Sequence, residues 1–397
     1  KPEAPGTPDT SETPDTPDMP DAPDVPETPD TPDIPVTPEV PDTPDTPVVG
    51  VGNAAEIKSA DLSIHFIAPS VKASGDCSLI KVGDTEVLID AGPTQSNAAA
   101  IKEYVNEYCT DGILEYVIVT HGDADHISGM VGTSKNGKYD GILYSYEVGT
   151  LIQFDRTNLK TVTDSGNPTL YGRYTTAVSY AQAQGAAVYT ASQCWYEKDG
   201  AKKTYYLDES SKISLNILYN TFYEEDSKDE NNYSVCMLLS QEIDGEESKH
   251  YLFTGDLEAE GEEELVKNNA LPEVELYKAG HHGSKTSSND CLLKVIKPKY
   301  VAVCCCAGYN QYGAAPENVF PTQAFVDRIS KYTDKIYVTI MFDEATEGYR
   351  DMNGDVVFYY GKSQDDEVAA LKLWCSNNSL ILKDTEWFQQ NRVWNGG

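Results

Sequence analysis

Two short clusters contain four of the six histidines of the chain. His121 and His126 belong to the run THGDADH (120–126), which also contains two aspartates. His281 and His282 belong to the run AGHHGS (279–284). Imidazole and carboxylate groups at such short spacing are typical ligands of transition metal ions. The first run therefore predicts a metal site, and the second run offers further ligands for it.

Each candidate ligand cluster follows a segment with the pattern of a β-strand. Asp90 ends the predicted strand Glu86–Asp90, and His121 follows the predicted strand Leu114–Thr120. Asp256 follows Tyr251–Thr254, and His281 follows Val274–Lys278. In an α/β sheet, strand ends at one edge bring together side chains that are distant in sequence. We therefore expect these residues to converge on one site.

From Ala60 onward, short β-branched runs alternate with helical stretches, which predicts a layered α/β fold. The other predicted strands are Leu62–Ile67, Cys77–Val82, Ile142–Tyr146, Ile213–Leu218, Ser234–Leu239, Tyr300–Cys305, Ile336–Ile340 and Val356–Tyr360. The predicted helices are Asn97–Tyr108, Tyr174–Gln184, Glu258–Lys267, Asn289–Ile296 and Gln323–Tyr332. The tail from Ala369 has little periodicity. We predict that it is a strap packed on the domain, with a ligand-gripping aromatic edge as the alternative.

The first fifty residues differ in composition from the rest of the chain. Proline occurs at every third position from Pro2 to Pro47 except at Ser11, and Asp, Glu and Thr fill most of the gaps. Polyproline II has three residues per turn, so the prolines align along one edge and the carboxylates stay solvated. At about 3.1 Å per residue, this segment would extend roughly 140 Å. It is predicted to be a disordered spacer, with a generic acidic tail as the alternative.

The chain has 64 acidic and 30 basic residues, which gives a formal net charge of −34. Residues 1–50 hold thirteen carboxylates against Lys1, a net of −12, which leaves −22 for the rest. So acidic a protein repels polyanions at long range, which disfavours tight nonspecific binding of nucleic acid. The nine cysteines include no CxxC pair, so they predict neither a zinc knuckle nor a disulfide scaffold.

Three ordered motifs resemble those of the metallo-β-lactamase superfamily. They are His121-x-Asp123-x-Asp125-His126, Thr254-Gly255-Asp256 and Gly280-His281-His282-Gly283-Ser284. More narrowly, residues 60–362 resemble the hydrolase domain of ComEC-type DNA-uptake competence proteins and its secreted stand-alone relatives. The resemblance implies a four-layer αββα sandwich with two divalent metal ions at one sheet edge.

The resemblance also implies roles for individual residues. The implied metal ligands are His121, Asp123, Asp125, His126, Asp256, His281 and His282. Asp256 would bridge the two ions, and His281 is preferred over His282 as the ligand from that pair. The implied supporting residues are Asp90, Asn232 and Ser234, and the implied catalytic residues are Asp125, His282 and Lys285. Alternatively, Lys285 has no catalytic role and only lies at the start of the next helix.

The chain departs from the superfamily pattern at three places. The commonest first motif has histidine where Asp123 stands, and a further histidine where this chain offers Asn232. The first metal site is therefore oxygen-rich, and Mn²⁺ is an alternative to Zn²⁺ because oxygen ligands suit harder ions. Competence-type relatives also carry a late histidine, and the matching stretch 310–316 (NQYGAAP) has none.

The leading hypothesis is a secreted binuclear metal-dependent hydrolase that cleaves a phosphoester by attack of a metal-bound hydroxide. The competence resemblance suggests nucleic acid as substrate, whereas a small or wall-bound phosphodiester suits an acidic protein on a spacer at least as well. One alternative is a lactonase or amidase of the same fold. Another is a non-catalytic surface binding module that retains metal.

We divide the chain into a low-complexity spacer (1–55), a hydrolase domain (60–362) and an aromatic C-terminal extension (363–397). The spacer predicts an extracellular or bacterial cell-surface location, with contact to the cell wall or surface. No apolar run approaches the length of about 20 residues that a membrane span needs. His65 and His250 lie within strand patterns and are predicted to be structural.

Overall fold

The computed structural model describes residues 54–210, 212–313, 315–361 and 369–396. Nearly all of the predicted spacer, residues 1–53, lies outside the described residues. Within the described ranges, no helix combines the length and the apolar character that crossing a membrane requires.

Two eight-stranded mixed sheets form the centre of the molecule. The first sheet contains β1 (Leu62–Phe66), β2 (Ser78–Val82), β3 (Thr85–Ile89), β4 (Ile113–Val119), β7 (Glu147–Gln153), β8 (Ala187–Thr190), β17 (Val356–Gly361) and β18 (Ala370–Cys375). The second contains β9 (Thr204–Tyr206), β10 (Ile213–Ile217), β11 (Met237–Gln241), β12 (Lys249–Phe253), β13 (Leu276–Lys278), β14 (Tyr300–Ala307), β15 (Ile336–Asp343) and β16 (Gly348–Asp351). A small hairpin pairs β5 (Ser134–Lys135) with β6 (Lys138–Tyr139). The orders are β18-β17-β1-β2-β3-β4-β7-β8 and β16-β15-β14-β13-β12-β11-β10-β9.

Helices cover the outer faces of both sheets. The helices are α1 (Ala54–Lys58), α2 (Ala98–Val105), α3 (Ala124–Val131), α4 (Ile142–Ser145), α5 (Leu170–Ala183), α6 (Ala191–Trp195), α7 (Ala259–Asn268), α8 (Asp290–Ile296), α9 (Gln323–Ile329) and α10 (Glu386–Asn391). Apolar residues of α2, α3 and α5 join the core of the first sheet, and those of α7, α8 and α9 pack on the second. These layers confirm the predicted αββα sandwich.

Strand β14 shows why the second sheet is buried on both faces. Tyr300, Ala302 and Cys304 belong to the core between the sheets, whereas Val301 and Val303 face the helical layer. The alternation follows from the two-residue period of a strand, and a continuous apolar run therefore suits a central strand. The nine cysteines are all free, and seven of them are buried.

The candidate ligands lie at one edge, as predicted from their strands. β3 and β4 are parallel neighbours in the first sheet, and β12 and β13 are parallel neighbours in the second. Phe66 at the end of β1 stacks on Phe253 at the end of β12, with ring centroids 6.2 Å apart. The segments after these strands therefore meet where the two sheets pack together.

The predicted strand Ile142–Tyr146 is wrong, because these residues form the short helix α4 and the strand β7 follows it. Gly141 precedes the helix and lies so close to α3 that an added Cβ would be 2.2 Å from the carbonyl carbon of Val131. Adjacent Ile142 and Leu143 are both buried, as a helical turn against α3 and α5 allows. Short apolar runs do not distinguish a strand from a buried helix.

The C-terminal tail contains regular secondary structure, whereas the sequence predicted only a strap packed on the domain. Residues 363–368 lie outside the described residues, and Ala370–Cys375 form the edge strand β18, which pairs antiparallel with β17. Trp387 and Phe388 of α10 are buried in the core of the second sheet. The described part of the tail therefore packs on both sheets.

His65 and His250 lie within strands and bond to neighbouring hydroxyl groups. His65 Nδ1 is 2.8 Å from the Tyr104 hydroxyl, and its Nε2 is 2.8 Å from Ser63 Oγ. His250 Nδ1 is 3.0 Å from Ser240 Oγ. These contacts support a structural role for both rings.

The buried His65 predicts that the protein becomes less stable as the pH is lowered below about 6.5. Burial, assisted by the charge of Lys81, lowers the pKa of His65 to about 3. Below the ordinary histidine pKa of about 6.5, the unfolded chain binds a proton that the folded chain does not, so the folded state loses about 1.4 kcal/mol per pH unit. In urea unfolding from pH 7 to pH 5, wild type should lose stability more steeply than His65→Gln, and the difference between the two slopes is the contribution of His65. Equal slopes in both proteins would contradict the assignment.

Candidate metal centre

Close backbone contacts join three loops around the start of α3. Gly92 N–H donates to Asp76 O at 2.9 Å, and Asp76 N–H donates to Asp125 O at 3.1 Å. A Cβ atom on Gly92 would lie 1.5 Å from Asp125 O, so only glycine fits there. The loops after β3 and before β2 therefore fix the position of the THGDADH segment.

Three buried imidazoles converge beside two carboxylates. The ring centroids of His121 and His126 are 4.1 Å apart, and those of His126 and His282 are 5.4 Å apart. Asp256 Oδ2 lies 3.2 Å from Nε2 of both His126 and His282. Asp125 Oδ2 lies 3.3 Å from His282 Nε2. The imidazole nitrogens and carboxylate oxygens of these residues therefore form one compact cluster.

The tautomers of two rings follow from their Nδ1 partners. His126 Nδ1 is 2.8 Å from Asp90 Oδ2, and His282 Nδ1 is 2.9 Å from Cys304 O. Carboxylate and carbonyl oxygens only accept, so each Nδ1–H must donate. The neutral form of each ring therefore presents an unprotonated Nε2 to the centre, as metal-binding histidines do.

His121 is oriented by a relay from the same carboxylate. Thr120 N–H and Oγ1–H donate to Asp90 at 2.8 and 2.7 Å. The hydroxyl proton is thereby used, so Thr120 Oγ1 accepts from His121 Nδ1–H at 3.1 Å. Asp90, at a positive φ of 57°, thus supports two of the three rings from a strained backbone position.

The residues fit a divalent cation. In the described part of the chain, His121 Nε2, His126 Nε2, His282 Nε2 and Asp256 Oδ1 are buried without a hydrogen-bond partner. Leaving such an atom unsatisfied costs about 1–3 kcal/mol each. Two groups with ligand atoms within 4.8 Å of one another are His121, His126 and Asp256, and Asp125, His126 and His282. A mixed imidazole and carboxylate set of this kind suits Zn²⁺ or Mn²⁺.

The charges of the centre indicate that protons on the imidazole rings compete with a metal cation for the same nitrogen atoms. Burial lowers the pKa of His126, but the charges of Asp256 and Asp90 raise it well above its usual range. Burial raises the pKa of Asp256, but His282 and His126 hold it well below its usual range. Metal binding should therefore release protons from the imidazoles.

Asp123 forms the open side of the centre. Its side chain is 38% exposed, and its Oδ2 lies 3.7 Å from His121 Nε2. Burial and the charge of Asp125 raise the pKa of Asp123 to about 7. A cation beside this carboxylate would favour its ionised form.

The geometry favours His282 over His281 as the metal ligand, whereas the motif-based resemblance favoured His281. His282 is fully buried, whereas the His281 side chain is 17% exposed and its Nε2 lies 4.0 Å from Asp256 Oδ2. His281 Nδ1 lies 3.2 Å from Thr286 Oγ1 and 3.3 Å from Glu258 Oε1. His281 therefore lies between the buried centre and solvent.

The other predicted residues lie at different distances from the centre. Ser234 Oγ is 3.5 Å from His121 Nδ1 and accepts from Asp256 N–H at 3.1 Å, which places it directly behind two ligands. Asn232 is buried, but its Oδ1 accepts from Glu258 N–H at 3.3 Å. Lys285 is exposed, and its Nζ donates to Asn318 Oδ1 at 2.8 Å.

Three residues of the centre were not predicted from sequence. Asp76 Oδ1 lies 3.1 Å from His282 Nδ1, and buried Lys278 contacts Asp76. The Tyr312 hydroxyl donates to Asp125 Oδ2, and its ring lies 5.1 Å from that of Phe320. Asp76 and Lys278 adjoin apolar strands and lie outside the His/Asp runs. Tyr312 lies in the stretch 310–316, where the motif lacks its histidine and a lone tyrosine gives no signal of a site residue.

A loop after β7 borders the centre next to Asp123. A Cβ atom on Gly122 would lie 2.8 Å from Leu159 Cδ1 and 3.2 Å from Thr157 Oγ1. Glu230 holds this loop, because it accepts from Thr157 Oγ1–H at 2.5 Å and from Asn158 N–H at 2.7 Å. Leu159 is 37% exposed, so this border of the centre is partly apolar.

Comparison with known proteins agrees with the motif-based resemblance. Residues 72–168 match the model of the metallo-beta-lactamase superfamily, which supports a metal-dependent hydrolase and confirms the predicted family for this stretch. A segment of 107 residues is 30% identical to Recombination protein 2 of Haemophilus influenzae. This segment is 27% of the chain and only 12% of that relative.

Solved structures with this fold are also similar at low sequence identity. The metallo-beta-lactamase fold protein YhfI from Bacillus subtilis is 11% identical, with 70% of this chain and 95% of that chain covered and a TM-score of 0.37. The metallo-beta-lactamase SMB-1 bound to 2-mercaptoethanesulfonate is 12% identical, with 55% and 79% covered and a TM-score of 0.31.

Proposed function

We propose, from the match of residues 72–168 to the metallo-beta-lactamase superfamily, that this chain is a binuclear metal-dependent hydrolase acting on a phosphoester. The observation that carries the proposal is the convergence of three buried, unpartnered Nε2 atoms around Asp256. Nearly all buried polar atoms of a structural core have hydrogen-bond partners, so buried Nε2 atoms that lack them support a ligand-binding site.

Two groups of residues would hold the cations. His121 and Asp123 form one group, and the second consists of Asp125, His126 and His282. Asp256 adjoins both groups and would bridge them. Two divalent cations supply Lewis acidity, which lowers the pKa of a bound water and stabilises charge on a reacting phosphoryl or carbonyl oxygen.

The ligand chemistry supports phosphoester over carbonyl substrates. An aspartate stands at position 123, and Asn232 stands where the superfamily pattern has a further histidine. Oxygen ligands favour harder cations such as Mn²⁺, which pair well with phosphate oxygens. Zn²⁺ remains the alternative for the imidazole-rich second group.

The charges near the centre support a small or wall-bound phosphodiester over a long nucleic acid. Arg156 lies 2.6 Å from Asp226, and Lys160 lies 3.3 Å from Asp164, so both cations bordering the Leu159 loop are paired. A polyanion usually requires a row of free Lys or Arg side chains. The similarity to Recombination protein 2 supports nucleic acid, which we keep as the second candidate. We also propose a cell-surface location, on the basis of the proline-rich composition of residues 1–50.

A substrate panel tests this function. Protein reconstituted with Zn²⁺ or Mn²⁺ should hydrolyse bis-p-nitrophenyl phosphate faster than nitrocefin or a lactone. Faster turnover of nitrocefin or the lactone would instead support carbonyl chemistry. Metal binding without turnover of any of these compounds would support a non-catalytic binding module.

We expect that removing the Tyr312 hydroxyl has a moderate effect on turnover. Its hydrogen bond to Asp125 positions a candidate ligand, and a hydrogen bond to a charged group contributes about 1.5–3 kcal/mol. Tyr312→Phe keeps the ring against Phe320 and should lower kcat/KM about tenfold or more. Tyr349→Phe, which alters an exposed tyrosine of β16, is the matched control. Unchanged kcat/KM in Tyr312→Phe would show that this hydroxyl has no role in the reaction.

A further inference from the structure

One lysine lies inside the metal centre rather than on the surface. Lys278 ends strand β13 and is 2% exposed. Its Nζ contacts Asp76 Oδ2 and lies 3.9 Å from Asp256 Oδ1. A buried ammonium group is strongly disfavoured unless negative charges compensate it. The position of Lys278 therefore requires an explanation beyond packing.

Asp76 connects this lysine to the ligands. Its Oδ1 lies 3.1 Å from His282 Nδ1, and its Oδ2 lies 4.0 Å from His126 Nδ1. Asp76 thus stands behind His282 as Asp90 stands behind His126.

Little space is left beside Lys278. A cavity of about 10 Å³ lies against it and is lined by Asp76, Asp90, Thr120 and Phe253 among others. A cavity of this size holds at most about one water molecule. On this side of Asp76, Lys278 is therefore the group that compensates the charge of the carboxylate.

Carboxylates outnumber cationic side chains at the centre. The buried and partly buried carboxylates are Asp76, Asp90, Asp123, Asp125, Asp256 and, beside His281, Glu258. Lys278 is a buried lysine that lies beside two of them, Asp76 and Asp256. Without Lys278, the negative charge of the centre would increase by one in a region of low dielectric constant, where it is most unfavourable.

We propose that Lys278 is a fixed cation of the metal centre, which neutralises Asp76 and thereby sets the charge that the site presents to divalent metal ions. This inference rests on the proposed function, because it assumes that the centre binds metal. Lys278 is a positioning residue under this proposal, since it acts through Asp76 and Asp256.

Metal affinity in a double-mutant cycle tests the proposal. Zn²⁺ affinity would be measured at fixed pH and salt by competition with a chromogenic chelator in wild type, Asp76→Asn, Lys278→Met and the double variant. Asp76→Asn keeps an acceptor for His282 but makes the site more positive, so its affinity should fall about tenfold or more. Lys278→Met should bind Zn²⁺ at least as tightly as wild type, and the double variant should lie within about threefold of wild type.

A merely structural pair would give a different pattern. Lys278→Met would then weaken Zn²⁺ binding as much as Asp76→Asn does, or the double variant would bind more weakly than either single variant. Either result would overturn the proposal. If Lys278→Met fails to fold, Lys278→Gln replaces it in the cycle, because the amide keeps a hydrogen-bond donor for Asp76 but removes the charge. Absence of Zn²⁺ binding in wild type would instead refute the proposed function.

Discussion

Asp256→Asn should abolish metal-dependent hydrolysis, with a loss on the order of 1000-fold in kcat/KM, equivalent to about 4 kcal/mol. Asp256 Oδ2 lies 3.2 Å from two imidazole nitrogens, and both candidate cation groups adjoin this carboxylate. The amide has the same shape but lacks the charge that would offset the repulsion between two cations. Metal content should fall together with activity.

A matched control separates this effect from a general loss of an aspartate. Asp343 ends β15 in the sheet that also contains β12, and its carboxylate accepts from Ala345 N–H at 3.2 Å and from Thr346 Oγ1–H at 2.6 Å. Asp343→Asn should retain full metal content and activity. Wild-type activity in Asp256→Asn would show that the reaction does not depend on the predicted bridge.

His282→Ala should lose both metal and activity, whereas His281→Ala should keep the metal. His282 is buried, with its Nε2 3.3 Å from Asp125 and 3.2 Å from Asp256. Removing a ligand from a buried site should lower kcat/KM on the order of 1000-fold. His281 is more exposed and lies beside Glu258, so its removal should cost about 10–100-fold, as for residues outside the ligand set.

Elemental analysis of the two variants, alongside steady-state kinetics, measures this difference. The variants change the same residue type at adjacent positions, so each serves as the control for the other. Loss of metal in His281→Ala with retention in His282→Ala would reverse the assignment and restore the preference based on sequence alone.

The sequence predicts the strand ends better than it predicts the interior of the site. Asp90, His121 and Asp256 follow apolar runs, and parallel pairing of those runs places them at one edge. Periodicity and motif spacing are sufficient for that step because strand direction fixes where each loop emerges.

Sequence patterns could not predict the contacts behind the ligands. Asp76 and Lys278 are more than 200 positions apart, and only the packing of one sheet on the other brings them together. Sequence patterns also could not show which of His281 and His282 is the metal ligand. Both residues have a positive φ, of 45° and 56°, and this unusual backbone turn decides which ring enters the core.

The edge strand β18 was missed for a related reason. Ala370–Cys375 are only partly buried, so the alternation of polar and apolar residues is weak. Its pairing with β17 supplies the order that its own sequence does not indicate.

The metal stoichiometry of the wild-type chain tests the central claim most directly. Purified protein would be stripped with a chelator, reconstituted with Zn²⁺ or Mn²⁺, separated from free ions and examined by elemental analysis. We expect two equivalents of metal per chain. A wild-type protein that is folded but retains no more than a trace of either metal would contradict the account.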